Sequence, residues 1–190
     1  MHRYIFWEVS KIIQANPKIQ SPSLFYSLLK NTYITDMAIG IRRQLDPHPH
    51  AISLANLLRE LVKYPKVLTR KWFVSLYKGS VAEAWADRDF DKFAGKGRPY
   101  IDPTLVEKDL RRLEKLWQPT GKYVDRRIAH LDKKGVKTLP TFKDLDDCMD
   151  LLEELLKKYV LLLEAVGLMK VTPTIQDDWK KVFRVAWIPK

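Results

Sequence analysis

LFYSLLKNTYITDMAIGIRRQL, residues 24–45, carries the strongest periodicity in the chain. Ile34, Met37, Ala38, Ile41 and Leu45 follow one another at intervals of three and four, so a helix of 3.6 residues per turn gathers them on one face. Asp36, Gly40 and Arg43 fall on the opposite face, while Arg42 and Asp46 flank the apolar stripe. Upstream, a helix is expected over 3–15, ended by Asn16-Pro17, and Ser21-Pro22-Ser23 reads as a cap and first turn. Downstream, Asp46-Pro-His-Pro-His50 is a rigid turn. His48 and His50 lack a third ligand nearby in sequence, so the expectation there is a solvated loop and no metal.

Two further amphipathic helices are expected over 51–63, with Ser53 as a cap, and over 66–77. Residues 80–103 are charged, weakly periodic and punctuated by Gly95, Gly97, Pro99 and Pro103, and read as a linker or surface excursion. From Thr104, the residues Val106, Leu110, Leu113, Trp117, Val124, Ile128 and Leu131 hold one stripe. Pro119 and Gly121 interrupt it and predict a kinked helix or two helices in line. Thr141 with Asp144 resembles a capping box opening a helix over 142–166, with Leu145, Met149, Leu152, Leu155, Leu156, Tyr159, Leu163 and Val166 toward a core. Residues 167–190 form an appendage, expected to pack on the rest because Trp179, Phe183 and Trp187 recur at four. The chain is thus read as all-α: a single domain over 1–190 with its core at about 20–166.

A formal charge of +11 and a pI near 9.6 favour a polyanionic partner: nucleic acid, another polyanion or an anionic membrane surface. One cysteine, Cys148, excludes an internal disulfide and reads as an inert helix residue. The N-terminus lacks the pattern of a signal peptide, and no apolar run approaches the roughly 20 residues that span a bilayer, so a soluble, cytoplasmic protein is expected. No P-loop, zinc ligand set or Ser/His/Asp order is present, and no cofactor is expected.

The chemistry is concentrated in YVDRRIAHLD, residues 123–132. On a helix, Arg126 and His130 share a face four residues apart, with Arg127 on the flank and the small Ala129 leaving room for approach. A guanidinium holds phosphate oxygens and stabilises developing negative charge. An imidazole moves protons near neutral pH. Together they suffice for metal-free RNA cleavage by the RNA's own 2′-hydroxyl. The other reading is a helix end, where His130 complements the dipole and the arginines are surface charges. Arg42 and Arg43 are candidates to support phosphate binding at the same site, by analogy with sites shared between facing helices.

Three pieces in order, YITDMAIGIRRQLD at 33–46, VDRRIAHLD at 124–132 and LPTFKDLDD with the leucine-rich helix after it, resemble the HEPN superfamily, in its abortive-infection U-type (AbiU-like) branch. The resemblance covers roughly 20–166. It implies an antiparallel bundle of four or more helices that forms homodimers, with the motif residues of two subunits meeting in one cleft. It also implies RNA as substrate, in phage defence or a toxin–antitoxin system, by a metal-independent endoribonuclease mechanism. His130 would then be the general acid or base and Arg126 the phosphate-holding group, with Arg127 beside it. Members without activity serve as binding modules, so the alternative is a silent module for RNA, a nucleotide or a cognate antitoxin or nucleotidyltransferase partner. This chain has Asp125 five residues before His130, with its arginines four and three before.

Overall fold

The computed structural model describes residues 1–124 and 140–186. Their helices are α1 (His2–Ala15), α2 (Leu24–Leu45), α3 (Leu54–Lys63), α4 (Arg70–Ser75), α5 (Ala86–Ala94), α6 (Pro103–Tyr123) and α7 (Phe142–Glu164). Short 3₁₀ turns lie at Pro17–Ile19, Pro65–Val67, Glu83–Trp85 and Trp179–Arg184. The fold is all-α, and among the described residues the only β-type pairing is an isolated antiparallel bridge between Thr69 and Tyr100.

Local sequence sets the helix starts. Ser23 accepts from the Phe25 amide, Ser53 from Asn56 and Thr69 from Trp72, each satisfying an amide that the first turn leaves without a partner. Ser53 and Thr69 therefore begin α3 and α4 a few residues later than periodicity alone suggested. Asp102 caps α6 ahead of Pro103, whose missing amide costs nothing at the first position. Thr141 and Asp144 form the full reciprocal capping box: Thr141 Oγ1 accepts from the Asp144 amide at 3.2 Å, and Asp144 Oδ2 accepts from the Thr141 amide at 2.7 Å.

The core lies among α2, α3, α6 and α7, where Ile41, Leu58, Leu113 and Leu155 are fully buried in one cluster. α6 is the hub, packing on α2, α3, α5 and α7. It runs antiparallel to α7, because three cross-links pair the helices in reverse order. Asp109 meets Lys158 and Tyr159, Arg112 meets Glu154, and the Leu116 carbonyl accepts from Cys148 Sγ. α1 lies across α2, also reversed: His2 pairs with Asp36, and Phe6 stacks on Tyr33 with centroids 3.9 Å apart.

The structure departs from the sequence reading in two places. Residues 80–103 are not merely a surface excursion, because they contain α5, which buries Ala86, Phe90, Phe93 and Ala94. Phe93 reaches Tyr159 of α7 (6.4 Å between centroids), and Arg70 of α4 ties the far side by bonding Asp87, Asp91 and the Gly95 and Arg98 carbonyls. Of the two alternatives read from sequence for α6, one helix through Pro119 and Gly121 forms, and not two in line. On α7, Cys148, Leu151 and Leu162 join Leu145, Leu152, Leu155 and Tyr159 inside, whereas Leu156 and Val166 are exposed. The appendage docks on α1 as expected: Trp179 packs edge-on to Tyr4, and Lys180 pairs with Glu8 at 2.5 Å.

Candidate functional site

The C-terminal turn of α2, one flank of α3 and the second half of α6 enclose a cleft of about 730 Å³. Its walls carry Arg42, Asp46 and Pro47 from the end of α2, Arg59 from α3, and Arg111, Glu114, Lys115, Trp117, Gln118 and Gly121 from α6. Four of these side chains are cationic and two anionic, and the anions are engaged locally. Glu114 accepts from Arg59 at 2.8 Å, and Asp46 Oδ1 accepts from the His48 amide at 3.0 Å. Four cations against two carboxylates leave the cleft with a net positive charge, and Arg59 is the one paired across it with Glu114. Arg111 is also bonded to Glu107 at 2.7 Å, an exposed i,i+4 pair that solvent screens and that holds little of the charge.

The rim at the α2–α3 loop is fixed by hydrogen bonds rather than by packing. The Ser53 hydroxyl donates to the Asp46 carbonyl (2.9 Å), and Asn56 Nδ2 donates to the carbonyls of His48 (2.7 Å) and Ala51 (2.9 Å). His48 and His50 are exposed, with the His50 amide donating to His48 Nδ1 at 3.3 Å. Among the described residues no group of three or more His, Cys, Asp or Glu is placed to hold a metal ion.

Gly121 shapes the inner wall. A Cβ at this position would lie 2.7 Å from Trp117 Nε1 and 3.1 Å from its Cε2, so the indole sits against the helix only because the side chain is absent. Trp117 is therefore held half-buried on the wall, four residues before the cleft-lining Gly121.

The sequence-derived site residues are placed unequally. Arg42 lines the cleft. Arg43, about 100° further round the helix, lines a separate shallow depression with Asn31, Thr35, Asp36 and Ile39. The structure therefore brings Arg42 but not Arg43 to the α6 wall. Arg126, Arg127 and His130, with Asp125, lie outside the described residues. The chain enters that stretch from the end of α6, just past Gly121. Arg59, Arg111, Lys115 and Trp117 were not singled out from sequence. The available signal was Lys108, Arg111, Arg112 and Lys115 at 3–1–3 spacing on α6, a basic face overshadowed by the apolar stripe beside it.

Cys148 is buried against the Leu116 carbonyl, and burial pushes its thiol up to about 11, away from the thiolate that a nucleophile needs. It is a core residue.

The AbiU2 family model, a HEPN family, matches residues 1–182. The chain belongs to the AbiU2 family of HEPN proteins. That match embraces α1, the bundle and about two thirds of the appendage, and it includes the YVDRRIAHLD stretch. No curated protein sequence and no solved structure matches the chain. As an AbiU2-family chain it is a HEPN protein of abortive-infection, defence type. Among the described residues no helix is long and apolar enough to cross a membrane.

Proposed function

We propose that this AbiU2-family protein acts on RNA as a metal-independent endoribonuclease whose site is completed by a second copy of the chain. The carrying observation is the cationic cleft at the end of α6, which sets Arg42, Arg111 and Lys115 beside the point where the chain enters VDRRIAHLD. In this reading Arg126, with Arg127 beside it, holds the phosphate, and Arg42 adds charge from the cleft wall. Arg43 belongs to the depression on the other side of α2, so its part is confined to the outer surface. His130 acts as general base or acid. The 2′-hydroxyl gives its proton to the base and attacks phosphorus, the bond to the 5′-oxygen breaks, and the departing oxygen takes a proton from the acid. The products are a 2′,3′-cyclic phosphate and a 5′-hydroxyl end.

A second reading rests on Asp125, a carboxylate five residues before His130. A negative charge beside a phosphate is repulsive, which favours a silent module binding RNA, a nucleotide, a cognate antitoxin or a nucleotidyltransferase.

The experiment is cleavage of RNA by purified protein in excess chelator, beside His130→Ala. Cyclic phosphate ends that vanish in the variant establish the nuclease. Intact RNA with a folded dimer rejects it in favour of the binding module. A strict monomer by light scattering removes the composite site.

A further inference from the structure

The basic face of α6 is larger than the cleft. Lys108, Arg111, Arg112 and Lys115 occupy positions i, i+3, i+4 and i+7, so they lie on one side of the helix over about 10 Å of its axis. All four are exposed, and they line a second depression that continues from the cleft toward the start of α6. The chain's anions answer this face selectively. Arg112 is held by both oxygens of Glu154, at 2.9 and 3.0 Å, and Arg111 is met by Glu107. No described carboxylate lies in ion-pair range of Lys108 or Lys115. Trp117 lines the same cleft as Arg111 and Lys115 from the neighbouring apolar stripe of α6, partly buried on the core and held against Gly121.

A cationic row that opens into a cleft walled by a fixed aromatic ring is a combination that takes a single strand. Phosphates follow the charges, while an unpaired base finds a flat apolar surface, which a base within a duplex cannot use. The cleft volume of about 730 Å³ is of the size that receives a small-molecule ligand or an inserted nucleotide.

We infer that α6 is a single-stranded RNA track: phosphates run along Lys108, Arg111 and Lys115, and one base is stacked on Trp117 at the entrance to the 125–132 stretch. The inference rests on the proposed action on RNA and adds the strandedness of the substrate and the residues that deliver it. Arg112 anchors α6 to α7 through Glu154 and contributes charge without being part of the row's free capacity.

The test uses the full chain and two fluorescein-labelled probes, a mixed-sequence single-stranded RNA and its duplex, read by anisotropy across a salt series. Thermal melts establish that each variant is folded. Lys108→Gln and Lys115→Gln should each flatten the slope of log K against log salt by about 0.7, one phosphate contact apiece. Lys66→Gln, on a 3₁₀ turn that lines neither depression, should leave it unchanged. Trp117→Leu should weaken single-strand binding roughly fivefold to a hundredfold with an unchanged slope, and Trp117→Phe should restore most of it. Unaltered slopes in both lysine variants, or duplex binding as tight as single-strand binding, overturn the track.

Cleavage of the same single strand by the same variants separates the two ideas. A wild type that cleaves, with lysine and tryptophan variants that bind and cleave equally well, rejects the track and keeps the nuclease. Binding that follows the lysines and Trp117, without cleavage by any form, keeps the track and rejects the nuclease.

Discussion

Replacing Asp109 by alanine should be among the most damaging single substitutions available on α6. Its carboxylate is almost completely buried between α6 and α7, accepting from Lys158 at 2.5 Å and from the Tyr159 hydroxyl at 3.0 Å, with Arg112 more distant at 3.4 Å. Arg112 loses little, because Glu154 remains its main partner. Lys158 is partly exposed and recovers some of its loss from water, so its charge-assisted bond contributes about 1–2 kcal/mol of the roughly 1.5–3 typical of such bonds. Tyr159 has no such recourse. It is 1% exposed, and burial followed by the charge of Asp109 pushes its phenol far above the ordinary range, so it stays a donor. Stranding that donor costs about 1–3 kcal/mol. The sum, about 2–5 kcal/mol, overlaps the roughly 3–5 found when one member of a buried pair is removed. Against a total stability of about 5–15 kcal/mol, this is a large share. At about 2–4 °C per kcal/mol for a chain of this size, the melting temperature falls by roughly 4–20 °C. The assay is urea unfolding of wild type, Asp109→Ala, Tyr159→Phe and the double variant. The double variant should cost less than the two singles added, by about 1–2 kcal/mol, because removing the hydroxyl removes what the first change stranded. A cost below about 1 kcal/mol for Asp109→Ala, or strict additivity, refutes the reasoning.

Three further outcomes are expected. Phe93→Ala, which empties a site between Phe73 and Tyr159, should cost about 3–5 kcal/mol in urea unfolding; a value near zero would return 80–103 to the surface. Cys148 should resist a thiol reagent at neutral pH in the native protein and react on unfolding, and rapid native labelling would contradict its burial. Stability should fall in acid. Glu8 is held at about 2 by Lys11 and Lys180, Asp91 is held low by Arg70, and Asp144 by the Thr141 amide. Carboxyls depressed in the folded state contribute fully above their unfolded values and lose that contribution as pH drops through the range from about 4.5 toward 2. Melting temperatures that stay flat over that range would contradict it.

Much of the bundle was legible because it obeys local rules. The stripe on α2 needs only its period, and Thr141 with Asp144 needs only its spacing. α5 was hidden because its apolar residues, Ala86, Phe90, Phe93 and Ala94, are outnumbered by the charges at 87–92 and span too few turns for periodicity to stand out. Asp109 was hidden for the opposite reason. An aspartate within EKDLRR looks solvated, and its partners lie about fifty positions away on α7. Of the candidate site residues read from sequence, the structure describes Arg42 and Arg43. Arg42 and Arg43 stood out as a pair, yet the turn of a helix separates neighbours, and only packing against α6 decides which faces the cleft. Trp117 read as core from its place on the stripe. It does pack on the core, and it reaches the cleft wall beside Gly121, a residue that sequence marks as an interruption.

The reversed pairing of α6 and α7 has a consequence for how this chain can diverge. It brings the last turn of one helix and the first turn of the next to the same end of the bundle, one finishing in buried Val124 and the other locked by its capping box. The gap to be bridged is thus set by the helices and not by the residues that bridge it. Closing such a gap costs only about 0.6 kcal/mol more for each doubling of the connection. Insertions between those two ends are therefore compatible with the pairing of α6 and α7, whose cross-links at Asp109, Arg112 and Leu116 lie within the helices themselves.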